Sequence, residues 1–146
     1  MMFIPVIFSN SKTIGSYIIR AFDRGLCEFS HVGIITEDGK HVIESTFLGG
    51  GVHLTKIEDF KANANKFKEG FFPVVDANAA YRLAYAELGK KYDLCGAIGL
   101  GVPFLGRNWG DTSKFFCSEL LAHCSQLFPK NISHRVGVSA CYVLTR

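Results

Sequence analysis

Charged residues make up only 20% of this 146-residue sequence, and they form no block of one sign. The lysines are scattered (Lys56, Lys61, Lys66, Lys68, then Lys90 and Lys91), so the net charge of +3 reads as a solvated surface. That excludes the clustered basic stripe expected of a nucleic-acid binder. No apolar run reaches the roughly 18 residues of a membrane span, so no integral membrane segment is expected. Met1 to Phe8 is apolar but short, with no basic residues ahead of it and no small-residue cleavage pattern behind it. It reads as a first strand and not as a signal peptide, which makes a cytoplasmic location the expectation. The five cysteines are odd in number and show no C-x-x-C spacing. A disulfide scaffold and a zinc site are both disfavoured, and a reducing compartment is favoured. His123 and Cys124 beside Cys117 match no common ligand spacing, so neither a metal nor another cofactor is expected. Repeats, linkers and low-complexity tracts are also missing, so residues 1–146 read as a single domain.

What the sequence has is apolar residues: 48% of the chain, with 13 phenylalanines that point to a densely packed core. Phe3 to Phe8 has strand character. Ile14, Tyr17, Ile18, Ala21 and Phe22 give Thr13 to Phe22 a helical stripe. His31 to Thr36 and His41 to Phe47 are β-rich and joined by Glu37-Asp38-Gly39-Lys40, a hairpin signal. A glycine loop (Gly49 to Gly51) precedes a short strand at Val52 to Leu54, a helical turn at Ile57 to Phe60 and a strand at Phe71 to Val75. Asp76 is placed to cap a helix running to about Lys90. Gly96 to Gly110 reads as loop or broken helix, Cys117 to Phe128 as helix, and Ala140 to Leu144 as a closing strand. The fold class is α+β, an antiparallel sheet packed against helices.

The hairpin carries geometry. With Asp38-Gly39 at the centre of a two-residue turn, Glu37 faces Lys40, Ile35 faces Val42, Gly33 faces Glu44 and His31 faces Thr46. Side chains alternate across a strand, so His31, Gly33 and Ile35 share a face with Val42, Glu44 and Thr46. Glu44 is then the diagonal neighbour of His31, roughly 7–8 Å away at the backbone and within side-chain reach. Gly33 leaves the approach open. A carboxylate so placed orients an imidazole and stabilises its protonated form. His41 falls on the other face and His53 beyond the glycine loop, so both are expected to be structural or exposed.

Cys117, Leu120, Leu121, Cys124, Leu127 and Phe128 form an i, i+3, i+4, i+7 stripe, which by itself makes each cysteine a small core residue. Cys124 and Cys95 are assigned to the core as small hydrophobes, a common use of free cysteine. Cys117 differs because it opens the helix, where unpaired N–H groups favour a thiolate and can hold an oxyanion. Ser118 and Glu119 suit a first helical turn and need no catalytic role.

These residues, in this order, resemble the permuted branch of the NlpC-like papain-fold hydrolases, in particular the YiiX-like proteins. The likeness rests on Phe29-Ser30-His31-Val32-Gly33-Ile34, Val42-Ile43-Glu44-Ser45, Gly50-Gly51-Val52 with Leu54 and Ile57, Gly89-Lys90-Lys91-Tyr92-Asp93, and Phe116-Cys117-Ser118-Glu119-Leu120. It implies a circularly permuted papain-like fold, with Cys117 as nucleophile, His31 as base, Glu44 orienting it and Tyr92 in the substrate cleft. The expected activity is that of a cysteine hydrolase of peptidase or amidase type, acting on a peptide, amide or related acyl substrate. A lipid acyltransferase or thioesterase on the same fold and a non-catalytic binding module are the alternatives; the sequence leaves the oligomeric state open.

Overall fold

The computed structural model describes residues 1–10, 28–46, 49–91, 117–129 and 138–146. In chain order these form β1 (Met2–Asn10), β2 (His31–Ile35), β3 (His41–Thr46), β4 (Gly51–Lys56), α1 (Ile57–Asn63), β5 (Lys66–Val74), α2 (Ala77–Ala86), α3 (Cys117–Ser125) and α4 (Val138–Leu144). The strands make a five-stranded sheet in the order β4-β3-β2-β1-β5, and every pairing is antiparallel.

Both faces of this sheet are covered, which explains why β1 reads as a continuous apolar run and not as an alternating one. Val6 and Phe8 join Val32, Ile34 and Ile43 in the larger core, with Leu120 and Leu121 of α3 and Ala80 and Ala84 of α2. Ile7 lies between Val6 and Phe8 and packs on the opposite side with Ile35, Val42 and Phe60 of α1. Pro5 is tolerated in β1 because β1 meets β2 only over Val6 to Ser9; opposite Pro5 the strand pairs with Phe71 of β5 alone. A residue without an N–H belongs where one edge of the strand has no ladder to maintain.

The β2–β3 register is the one read from the sequence, with Ile34 opposite Ile43 and Ile35 opposite Val42. The turn that sets it is different. The Thr36 amide donates to the His41 carbonyl and the Gly39 amide to the Thr36 carbonyl, so the loop spans 37–40. A two-residue type I′ turn would need positive φ at both central residues. Gly39 has it, at 70°, but Asp38 does not. Asp38 instead accepts hydrogen bonds through its carboxylate from the Thr36 hydroxyl (2.6 Å) and the Lys40 amide (3.0 Å). Lengthening the loop by one residue at each end leaves the parity of the pairing unchanged, so the facing residues stay the same.

Asp76 caps α2 as expected, accepting from the Ala79 amide at 2.7 Å. The strand expected at Ala140 to Leu144 is instead the helix α4. Val138 and Cys141, one helical turn apart, are both buried in the larger core. A short apolar run does not distinguish these two outcomes by periodicity. Extended pairing appears only at the last residue, where Arg146 exchanges backbone hydrogen bonds with Phe71. Helix α3 ends at Ser125, before Gln126 at φ 58°, and so is shorter than the expected run to Phe128. The expected helix at Thr13 to Phe22, the Gly96–Gly110 stretch, Cys95 and Tyr92 lie outside the described residues.

Candidate active site

Glu44, in β3, is the hub of the site. Glu44 is 7% exposed, and its partners among the described residues come from the two neighbouring strands. His31, the first residue of β2, brings Nε2 to 3.2 Å from Oε2. His53 of β4 lies directly opposite Glu44 and brings its own Nε2 to 3.2 Å from Oε1. The Thr55 hydroxyl donates to the same Oε1 at 3.2 Å. The diagonal His31–Glu44 contact inferred from the hairpin is therefore present.

Gly33, between the two on the same face, is tightly packed. A Cβ there would overlap Cγ1 of Val42, and it would sit 3.5 Å from the Glu44 Cβ. Val42 is β-branched and fully buried, so it has little room to yield. The exchange Gly33→Ala is expected to cost about 1–3 kcal/mol through overpacking. A urea denaturation midpoint lowered accordingly would verify this, and an unchanged midpoint would contradict it.

The His31 ring stacks on Phe60 of α1, with centroids 5.8 Å apart and planes at 27°. Cys117, the first residue of α3, packs in the larger core and is 3% exposed. Burial of His31 opposes its charge, but the Cys117 thiolate charge and hydrogen bond, with the Glu44 hydrogen bond and charge, together outweigh it. The ring's pKa is raised to about 10. Burial likewise opposes ionisation of Glu44, and the hydrogen bonds and charges of His31 and His53 overcome it, lowering its pKa to about 2. Glu44 is thus a carboxylate near neutral pH.

The structure brings Cys117, His31 and Glu44 together. The other described cysteines are different. Cys124 and Cys141 are fully buried, and burial, reinforced by the Glu87 charge, pushes the Cys124 thiol up. His123 Nε2 lies 3.3 Å from Glu87 Oε1. Glu119 is buried in the first turn of α3. Among the described residues, no group of three or more His, Cys, Asp and Glu side chains is arranged to hold a metal ion.

His53, expected to be structural or exposed, is partly exposed and is also a partner of Glu44, a contact the sequence reading does not place because the glycine loop obscures its register. The signal was available: β3 and β4 are themselves a hairpin, with Thr46 opposite Gly51, and that pairing puts His53 across from Glu44.

No family model matches the sequence, and no curated protein does either. Among solved structures, the fold is similar to that of a protein described as the metalloprotein YiiX from Escherichia coli O157:H7, DUF1105, with a TM-score of 0.59 and 23% identity. The match covers 84% of this chain and 63% of the YiiX chain, so this chain spans less than two thirds of that protein's length. At this level of identity the likeness shows a shared α+β fold.

Proposed function

We propose that this protein is a thiol-dependent acyl hydrolase in which Cys117, His31 and Glu44 act as nucleophile, base and orienting carboxylate. The observation that carries the reading is the His31 ring, held by Glu44 at 3.2 Å and electrostatically coupled to Cys117. Nε2 is engaged by Glu44, which leaves Nδ1 for the thiol. The similarity to YiiX supports the reading at the level of the fold, and a circularly permuted papain-like arrangement is part of the proposal.

In the first half-reaction the Cys117 thiolate attacks the acyl carbon, and the Cys117 backbone N–H at the start of α3 helps hold the oxyanion. The bond to the leaving group breaks, and His31 gives that group its proton. In the second half-reaction His31 takes a proton from water, the resulting hydroxide attacks the thioester, and the thiolate departs. Glu44 stabilises the imidazolium, which is present before the leaving group takes its proton and again once water has given one up. Peptide and amide bonds are the favoured substrates, and Tyr92 is assigned to substrate binding. A lipid acyltransferase or thioesterase would share the first half-reaction and differ in the acceptor.

The test is trapping. The protein is incubated with a peptide p-nitroanilide, a short-chain thioester and a long-chain thioester, quenched in acid, and its intact mass and tryptic peptides are measured. A mass increase equal to the acyl group, mapped to Cys117 and missing in Cys117→Ala, is expected. An adduct that persists in Cys117→Ala, or turnover unchanged by that exchange, would reject the assignment. The probe that reacts fastest identifies the acyl class.

A further inference from the structure

His53 has both ring nitrogens against acceptors. Nδ1 is 2.8 Å from the Gly51 carbonyl, and Nε2 is 3.2 Å from Glu44 Oε1. A backbone carbonyl can only accept, and so can an ionised carboxylate. A neutral imidazole carries one N–H and one lone pair, so it would satisfy one of these contacts and turn a lone pair on the other. Only the doubly protonated ring satisfies both. Its place is prepared by the glycine turn: a Cβ at Gly49 would overlap the His53 ring.

We propose that His53 is a positioning residue of the Cys117 site, whose imidazolium spans the Gly51 carbonyl and Glu44 Oε1 and so holds Oε2 on His31. The catalytic part of this statement rests on the acyl-hydrolase reading; the geometric part does not. Without His53, Glu44 keeps the Thr55 hydroxyl on Oε1 and His31 on Oε2 but loses one of its two cationic partners. The carboxylate is then held less firmly about its last side-chain bond, and the imidazole of His31 is oriented less tightly. The groups that act on the His53 charge come from β3, from β2 beyond it and from the backbone of β4 itself. Glu44 of β3 favours it through a hydrogen bond and its charge, the Gly51 carbonyl adds to this, and burial and His31 of β2 oppose it; the net effect is a raised pKa. The side chain is 30% exposed, so its proton exchanges with solvent. Loss of that proton breaks one of the two hydrogen bonds and loosens Glu44.

The experiment combines a direct readout with a kinetic one. Side-chain ¹⁵N correlation spectra of the full chain are recorded from pH 5 to 9, with His53→Gln used to assign its signals. The expected result is that both His53 nitrogens are protonated at pH 6.5, that its titration midpoint exceeds the ordinary value of 6.5, and that the His31 signals move in His53→Gln. The Cys117 alkylation rate should fall about tenfold in His53→Gln, as expected for loss of one charge-assisted hydrogen bond. The pH step centred on the His53 midpoint should vanish from the rate profile. His53→Arg keeps a cationic donor and should recover most of the rate. A neutral, single-tautomer His53 at pH 6.5, or His31 signals and a pH–rate profile identical in His53→Gln and the parent, would overturn the proposal. If Cys117 in the parent reacts no faster than Cys124, the hydrolase reading fails, and the spectra alone decide the role of His53.

Discussion

Exchanging His31 for Gln lowers the rate of Cys117 alkylation by iodoacetamide by about a hundredfold at pH 7, the lower range of what a positioned proton-transfer group contributes. Glutamine can still donate a hydrogen bond to Glu44, so the fold is expected to survive and the change reports on the thiol. The internal controls are Cys124 and Cys141. All three cysteines are buried, Cys117 at 3% exposure and the other two at 0%. Activation of the sulfur is therefore read from the change between parent and variant and not from the order of reaction within the parent. In the parent protein Cys117 reacts first, and peptide mapping with time-resolved quenching gives each rate. In His31→Gln the Cys117 rate falls toward that of the other two, whose rates do not change. An unchanged Cys117 rate would remove His31 as its partner.

Exchanging Glu44 for Gln destabilises the protein by about 3 kcal/mol at its maximum, the usual cost of removing one member of a buried ion pair. The pH dependence of this loss follows from the two shifts. Glu44 is lowered from 4.5 to about 2, so its contribution is fully present above 4.5 and is lost as pH falls through 2. His31 is raised from 6.5 to about 10, so its contribution is fully present below 6.5 and is lost as pH rises through 10. Glu44 supplies part of that second shift, and Cys117 the rest. The difference in stability between the parent and Glu44→Gln is therefore largest between pH 4.5 and 6.5. It narrows toward acid and, in part, toward alkaline pH. Urea midpoints measured at intervals from pH 3 to 9 would show this, whereas a constant difference would mean that Glu44 is not ionically coupled to its histidines.

Parts of the site were legible because strand pairing is arithmetic. The alternation in His31-Val32-Gly33-Ile34-Ile35 and Val42-Ile43-Glu44 put His31 and Glu44 on one face, and the turn error at Asp38-Gly39 did no harm because it preserved parity. The same arithmetic across Gly49 to Gly51 would have found His53. The run Ala140 to Leu144 was illegible for another reason: too few residues to display a period, with the outcome set by packing of Val138 and Cys141 into the larger core. Cys117 could be placed at a helix start by its stripe, but its sequence neighbours said nothing about which ring it would meet.

The sequence by itself determined the strands of the central hairpin, their register and the capped helix after Asp76, because each depends on residues close in the chain. Tertiary structure alone decided which partners these side chains have. Cys117 lies 86 positions after His31, and only the packing of α3 on the sheet brings the two together. Glu44 is shared between two histidines because β3 has a neighbour on each side, and that second neighbour turned one carboxylate–histidine pair into a three-residue ionic network.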